Sequence, residues 1–314
     1  MLVYFVRRII TTIPTVLVAA IIAFVLIRLA PGDPALAFVT PTATEVEIEE
    51  VRRQLGLDRP IPVQFVFWLG NVLRGDLGHS FFLGRDVVTA IAERLPATLQ
   101  LTGLALLFAL VAGILSGILA ALNHNKLIDR LVLVITMVGV SVPVFWLGLL
   151  LMWFFAVQLR WFPTGGFVPI WTDFFGGLRS TALPAIALGT LHATLTARIT
   201  RSSMLEYLRK DFVRTARSKG LGEGRITFKH VLKNAMIPVI TIVGVTLGAL
   251  LSGAVIIETV FTYPGVGRLV VRAVQQRDYN LVQGVLLVVA GIYVIVNLLV
   301  DLSYGFFDPR ITYS

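Results

Sequence analysis

The sequence predicts an all-α integral membrane protein with six transmembrane helices, and three observations lead there. Hydrophobic residues fill 56% of the 314 positions and charged residues 14%, and the mean hydropathy of +0.85 exceeds what the core of a soluble domain needs. Six stretches reach the roughly 20 apolar residues that a helix needs to cross the hydrocarbon, where backbone groups must bond within their own segment. Lys and Arg collect on one side of those stretches, which sets the orientation.

The spans, in order, are Ile9 to Leu29, Ala97 to Leu122, Leu131 to Leu159, Thr181 to Thr200, Ile237 to Ile257 and Leu281 to Tyr304. Arg7 and Arg8 precede the first, whose apolar run is too long for a cleaved signal peptide, so it reads as a retained helix. With the N-terminus in the cytoplasm, Lys126, Arg130, the cluster from Arg198 to Lys233, and Arg310 are cytoplasmic too, and both termini lie inside. The connection from Ala30 to Pro96 then falls outside. There "APGDPA" ends the first helix at Pro31 and Pro34, with Gly32 permitting the turn. "TEVEIEEVRRQLGL" reads as a short helix capped by Thr44 and stopped near Gly56. "PVQFVFWLGNVLRG" reads as another, apolar on nearly every face, and "GDLGHSFFLGRDV" as loop. The expected organisation is residues 1–94 as the first helix with its external segment, 95–305 as a five-helix core with a cytoplasmic loop at 201–236, and 306–314 as a cytoplasmic tail.

Several spans are punctuated. Pro143 and Gly148 fall inside the third and Pro184 at the start of the fourth, which fits either close helix packing or kinks that line a pathway. Ionisable groups at membrane depth are functional candidates, and here they are sparse: Arg28, Glu258 and Asp301 near span ends, His192 and Arg198 in the fourth span. His192, with Thr190, Thr194 and Thr196, reads either as part of a polar path or as a histidine bonded to a neighbouring helix. Pro143, His192, Thr194 and Glu258 are the candidates for a translocation path. The lack of acidic groups near the midplane argues against a proton-coupled carrier.

Other chemistries find little in the chain. No GxxxxGK[ST] phosphate cradle occurs, and "GLGEGR" follows a basic helix rather than a strand, which argues against nucleotide binding. His79, His124, His192 and His230 are scattered without an HExxH pattern, and there are no cysteines for thiolate ligands or disulfides. The expectation is no catalytic residue, no metal and no cofactor on this chain. The net charge of +9 is concentrated in one loop beside the membrane and gives no reason to invoke nucleic acid.

That loop is "EYLRKDFVRTARSKGLGEGRITFKHVLKN", residues 206–234. The fourth span continues into it as a helix with no breaker before Gly220, a natural C-terminal cap after Lys219. Glu223 then begins a second, short helix that ends before Pro238 opens the fifth span. In it Phe228, Val231, Leu232 and Ala235 fall at i, i+3, i+4 and i+7 as one apolar stripe, and Arg225, Lys229 and Lys233 on another face. A basic amphipathic helix resting on anionic lipid would need no partner. The glycine reversal and the acidic Glu206, Asp211 and Glu223 favour a socket for another protein.

"DFVRTARSKGL" followed by "HVLKNAMIPVIT" resembles the EAA loop of ABC-transporter permeases, in the form typical of dipeptide, oligopeptide, glutathione and nickel importers. "APGDPA", "LGLDRPIPVQF", "GDLGHS", "RLPATLQLT", "SVPVFWLG", "IIETVFTYPGVGRL", "RDYNLVQG" and "DPRITY" match in the same order, so the resemblance covers essentially the whole chain. It implies a type I importer permease core with an extra N-terminal helix and external segment. The loop's E-A-A triplet falls on Arg214, Thr215 and Ala216, its glycine on Gly220, and the later I-x-L-P element on His230, Val231, Leu232 and Lys233. The general glutamate and proline are absent, which points to the peptide-type subgroup.

The residues implied to couple to an ATPase are Arg214, Thr215, Ala216, Gly220, Glu223, Arg225, Phe228, Lys229, Val231 and Leu232. The implied partners are a second homologous permease subunit, two ABC ATPase subunits that use ATP and magnesium, and an extracytoplasmic solute-binding protein. The implied location is the plasma (inner) membrane of a bacterium or archaeon, and the implied cargo is a dipeptide, an oligopeptide or glutathione. A nickel-complex importer of the same family and an ion-coupled secondary carrier are the alternatives.

Overall fold

The computed structural model describes residues 2–29, 44–54 and 58–307. The expected turn at Pro31, Gly32 and Pro34, the helix stop at Gly56 and the tail from Asp308, with Arg310, lie outside them. The helices are α1 (Leu2–Leu29), α2 (Glu45–Gln54), α3 (Ile61–Leu73), α4 (Val87–Leu122), α5 (Leu127–Ser141) and α6 (Val144–Gln158). They continue with α7 (Phe174–Leu208), α8 (Asp211–Ser218), α9 (Glu223–Val260), α10 (Val266–Gln275) and α11 (Tyr279–Phe307). A two-stranded antiparallel hairpin, β1 (His79–Ser80) and β2 (Arg85–Asp86), lies between α3 and α4. The chain forms two compact units, one from the stretch up to Pro96 together with Pro264–Leu298, the other built on Ala97–Tyr263.

In the first unit α2 starts at a reciprocal cap. The Thr44 N–H donates to Glu47 Oε2 at 2.8 Å and the Glu47 N–H to Thr44 Oγ1 at 3.4 Å, and the bond from the Thr44 backbone holds the Glu47 carboxyl below its usual range. α3 has no buried residue of its own, yet Phe65 and Trp68 set their rings 5.2 and 5.5 Å from Phe24 of α1. "GDLGHSFFLGRDV", read from the sequence as loop, contains the hairpin, with His79 opposite Asp86 and Ser80 opposite Arg85. Val87, Ala90 and Ile91 of α4 pack with Val266, Leu269 and Ala273 of α10 and Leu281 and Val285 of α11.

In the second unit α7 packs against α5, α6 and α9. Its approach to α4 depends on small residues: a Cβ added at Gly113 would lie 2.6 Å from Thr196 Cβ, and one at Gly117 2.6 Å from Thr200 Cβ. Lipid tails remove the hydrophobic drive between helices, so close backbone contact of this kind is what favours their association. Hydropathy had marked only the apolar part of each helix. α4 begins at Val87 rather than Ala97, and α7 at Phe174 rather than Thr181, where Asp173 accepts from the Gly176 N–H at 3.0 Å.

The third span departs most from expectation. Instead of one helix from Leu131 to Leu159, α5 and α6 meet at 107°. Pro143 supplies no N–H and pushes the residue before it out of the helical region, and Val142 is extended at φ −83°, ψ 123°. Pro96, Pro184 and Pro238 sit inside continuous helices. α4, α9 and Tyr279–Leu298 of α11 are each long and apolar enough to cross a membrane, and the bent pair α5–α6 adds a fourth if taken as one span.

Two expectations for the basic loop are corrected. The fourth helix does not run to Gly220: α7 stops at Leu208, Lys210 is extended, and α8 starts at Asp211. The break lets Val213 and Ala216 turn back onto the bundle instead of projecting into water. Nor is there a separate short helix before Pro238. Glu223–Val260 is a single helix, with a π-helical stretch at Ile226–Val231.

Candidate functional site

The loop from Arg209 to Arg225 is anchored by an apolar cluster. Val213 and Ala216 of α8 pack with Ile118 and Ala121 of α4, Met204 of α7, and Ile226, Val231 and Ala235 of α9. α8 ends in a Schellman turn: the Leu221 N–H donates to Ala216 O at 3.2 Å and the Gly220 N–H to Arg217 O at 2.9 Å. Gly220 has φ +76°, and Leu221 packs beside Ala216. Across the reversal Arg217 donates two hydrogen bonds to Glu223, at 2.7 and 3.1 Å. Those bonds hold the Glu223 carboxyl below, and the Arg217 guanidinium above, their ordinary ranges.

Of the ten residues assigned to coupling, Ala216 and Val231 are buried, Leu232 is half-buried, and Arg214, Thr215, Gly220, Glu223, Arg225, Phe228 and Lys229 are exposed. The expected stripe of Phe228, Val231, Leu232 and Ala235 is therefore not one face. Within the π-helical stretch a turn takes more residues, so the buried positions step from Ile226 to Val231 and then to Ala235, and Phe228 stands 60% exposed. The outward surface is basic, with the rings of Phe212 and Phe228 exposed in it.

The path candidates are dispersed. Pro143 lines a cleft of about 260 Å³ at the α5–α6 break, with Ser141, Leu147, Thr190 and Leu191 among its other walls. His192 is half-buried on α7. Thr194 is buried, its Cγ2 2.5 Å from where a Cβ on Gly139 would stand. Glu258 is fully buried and accepts from Thr98 Oγ1 at 2.6 Å. Beside it Thr181 Oγ1 lies 3.0 Å from the Tyr263 hydroxyl and accepts from Gln100 Nε2 at 2.8 Å, while Gln100 Oε1 accepts from the Ile170 N–H at 3.0 Å. Burial raises the pKa of the Tyr263 hydroxyl. No cluster of His, Cys, Asp and Glu suited to a metal ion occurs among the described residues.

A family model described as "Binding-protein-dependent transport system inner membrane component" matches residues 113–313, and a companion model for the N-terminal part of such membrane components matches residues 1–102. The chain belongs to that family. The Sinorhizobium fredii protein named a probable peptide ABC transporter permease, y4tP, is 43% identical over 99% of both chains. The dipeptide transport system permease protein DppB of Alkalihalophilus pseudofirmus is 40% identical over all of both. Among solved structures, an amino acid ABC transporter with histidines aligns at TM-score 0.50 and 17% identity, covering 71% of this chain and 94% of that one, which speaks for the fold alone.

In this inner membrane component several important side chains escaped sequence reasoning. Asp129, 2% exposed at the start of α5, accepts two bonds from Arg201 of α7, Nε to Oδ1 at 2.6 Å and Nη2 to Oδ2 at 2.8 Å. His124 Nδ1 lies 3.3 Å from the same Oδ2, and the Asn125 N–H donates to it at 2.9 Å. In the first unit, buried Asp278 accepts from Ser80 Oγ at 2.6 Å and from the N–H groups of Phe82 and Leu281 at 3.2 and 3.1 Å. That contact joins two of the quoted motifs, "GDLGHS" and "RDYNLVQG". Arg201 and Asp129 carried no comparable signal, because neither falls in a motif quoted for the resemblance.

Proposed function

We propose that this chain is the membrane-spanning permease subunit of an ATP-driven importer that carries peptides from a solute-binding protein into the cytoplasm. It crosses the membrane six times with both termini inside, and works with a second homologous permease and two ABC ATPase subunits that hold the ATP and magnesium. Arg214, Thr215, Gly220, Glu223, Arg225, Phe228 and Lys229 meet an ATPase, while Ala216, Val231 and Leu232 hold the loop to the bundle. Closure of the ATPases moves both loops and biases the bundle between inward-open and outward-open forms. Of the path candidates, Pro143 lies on the route, and Thr194 and Glu258 keep the helices beside it in register.

The observation that carries this reading is the loop itself: a basic surface locked by the Gly220 turn and anchored through Val213 and Ala216. An ion-driven carrier has no use for it. The peptide cargo draws support from full-length relatives, 40% and 43% identical, whose names refer to peptides or dipeptides. The test is uptake of labelled peptide by the reconstituted complex in liposomes. Uptake should require both ATP and the binding protein, and uptake that persists unchanged without ATP would overturn the proposal.

A further inference from the structure

The break between α5 and α6 leaves backbone groups without partners. Pro143 brings no N–H to the Gly139 carbonyl, and no backbone hydrogen bond among the described residues reaches the carbonyls of Gly139, Val140, Ser141 or Val142. The N–H groups of Val144, Phe145 and Trp146 are likewise unengaged; bonds from Val142 N to Val138 O and from Leu147 N to Pro143 O bracket the gap. Non-helical backbone at membrane depth persists only where protein buries it or where it lines a watery cavity. The described residues bury it only in part: Gly139, Val142 and Val144 are half-buried, whereas Ser141 and Val140 are exposed at the cleft and Phe145 and Trp146 are 46% and 48% exposed in the turn that follows.

Lipid offers these groups nothing, and an apolar helix of a partner would seal them unpaired. A peptide main chain has what they lack, N–H and ammonium donors for the carbonyls and C=O or carboxylate acceptors for the N–H groups. We propose that the α5–α6 break is a subsite on the translocation route that contacts the main chain of the peptide in transit. The inference rests on the peptide-importer reading above and adds to it where the cargo is touched and by which groups. Main-chain recognition lets one route pass peptides that differ in side chain, leaving selection to the binding protein.

The natural absence of cysteine permits a direct test. S141C and V140C are placed singly in the complete reconstituted complex, with I135C as the control, a position 65% exposed on α5 before the break. A water-soluble maleimide should label S141C and V140C about tenfold faster than I135C, because a thiol in water ionises more readily than one in lipid. Saturating peptide-loaded binding protein during ATP turnover should slow labelling of both severalfold and leave I135C unchanged. Two dipeptides with very different side chains should protect equally, and P143A, which supplies the missing N–H, should lower uptake severalfold.

Labelling no faster than I135C would mean that lipid or a partner covers the break, and overturns the proposal. So would labelling that peptide does not slow in a complex that is importing it, protection that depends on the side chain, or normal uptake by P143A. Uptake by the unsubstituted complex is measured first. Its failure to depend on ATP counts against the importer reading, whereas unprotected cysteines in a working importer count against the subsite alone.

Discussion

Gly220 permits a perturbation confined to the backbone. At φ +76° a residue with a Cβ is strained, yet the Cβ itself would meet no atom within 4 Å, so substitution changes conformational cost without a clash. The strain is about 1 kcal/mol for Ala and about 2–3 kcal/mol for Val, and Asn tolerates the region best among residues with a side chain. Against this stand two turn hydrogen bonds, from Leu221 to Ala216 and from Gly220 to Arg217, at about 1 kcal/mol net each. Roughly 2 kcal/mol favours the folded turn by about 30 to 1, and Val brings that ratio to about 1 to 1 or below. The assay is the number of ATP molecules hydrolysed per peptide imported by the reconstituted complex. That number should rise in the order Gly, Asn, Ala, Val while membrane insertion stays constant. Coupling by G220V equal to that of Gly, or G220N as damaging as G220V, would refute the conformational reasoning.

Three further outcomes follow from other sites. F228A should weaken ATPase association about tenfold, the range for an aromatic anchor at an interface, and leave the melting temperature of the isolated chain unchanged because the ring is in solvent; pull-down and thermal shift measure the two. D129N leaves Arg201 without its counter-charge in a pocket where Asp129 is 2% and Arg201 20% exposed, and should lower stability by about 3 kcal/mol; D129N/R201Q should recover part of it. D278A removes the acceptor for three donors and should raise hydrogen exchange at the Phe82 and Leu281 amides about tenfold or more, with exchange at the α8 anchor residue Val213 unaffected.

The positions of the apolar stretches and of the Gly220 turn were legible because both are local. About 20 apolar residues in a row describe a span by themselves, and a glycine after Lys219 describes its own φ. Helix ends were less legible, since amphipathic turns such as Val87 to Pro96 of α4 lower the mean hydropathy without ending the helix. The sequence offered Pro143, Pro184 and Pro238 alike as interruptions, yet only Pro143 breaks its helix. At Pro184 packing within α7 decides the outcome: Leu183, Ala185, Ala187 and Leu188 around that proline are all buried. Around Pro143 the neighbours Ser141, Phe145 and Trp146 are exposed and Val142 and Val144 only half-buried, so the described residues give the helix less support there than at Pro184. The Phe228 face was misassigned because a 3.6-residue period does not hold through a π-helical stretch.

The buried ion pair gives the loop a reach that its own contacts lack. Arg201 and Met204 are three residues apart, so they lie on the same side of α7, where Met204 belongs to the cluster that anchors α8 and Arg201 grips Asp129 at the start of α5. A force on α8 that displaces the end of α7 therefore displaces α5 as well, because a fork of two short charge-assisted bonds resists both sliding and rotation in a way that one contact between apolar side chains does not. α5 ends at Ser141, where the helix breaks. On the importer reading, the ATPase acts at one end of this short helix and the cargo meets the other. Asp129 is then a positioning residue that converts displacement of the loop into a change at the break, and a neutral side chain of the same shape could not hold Arg201 as firmly.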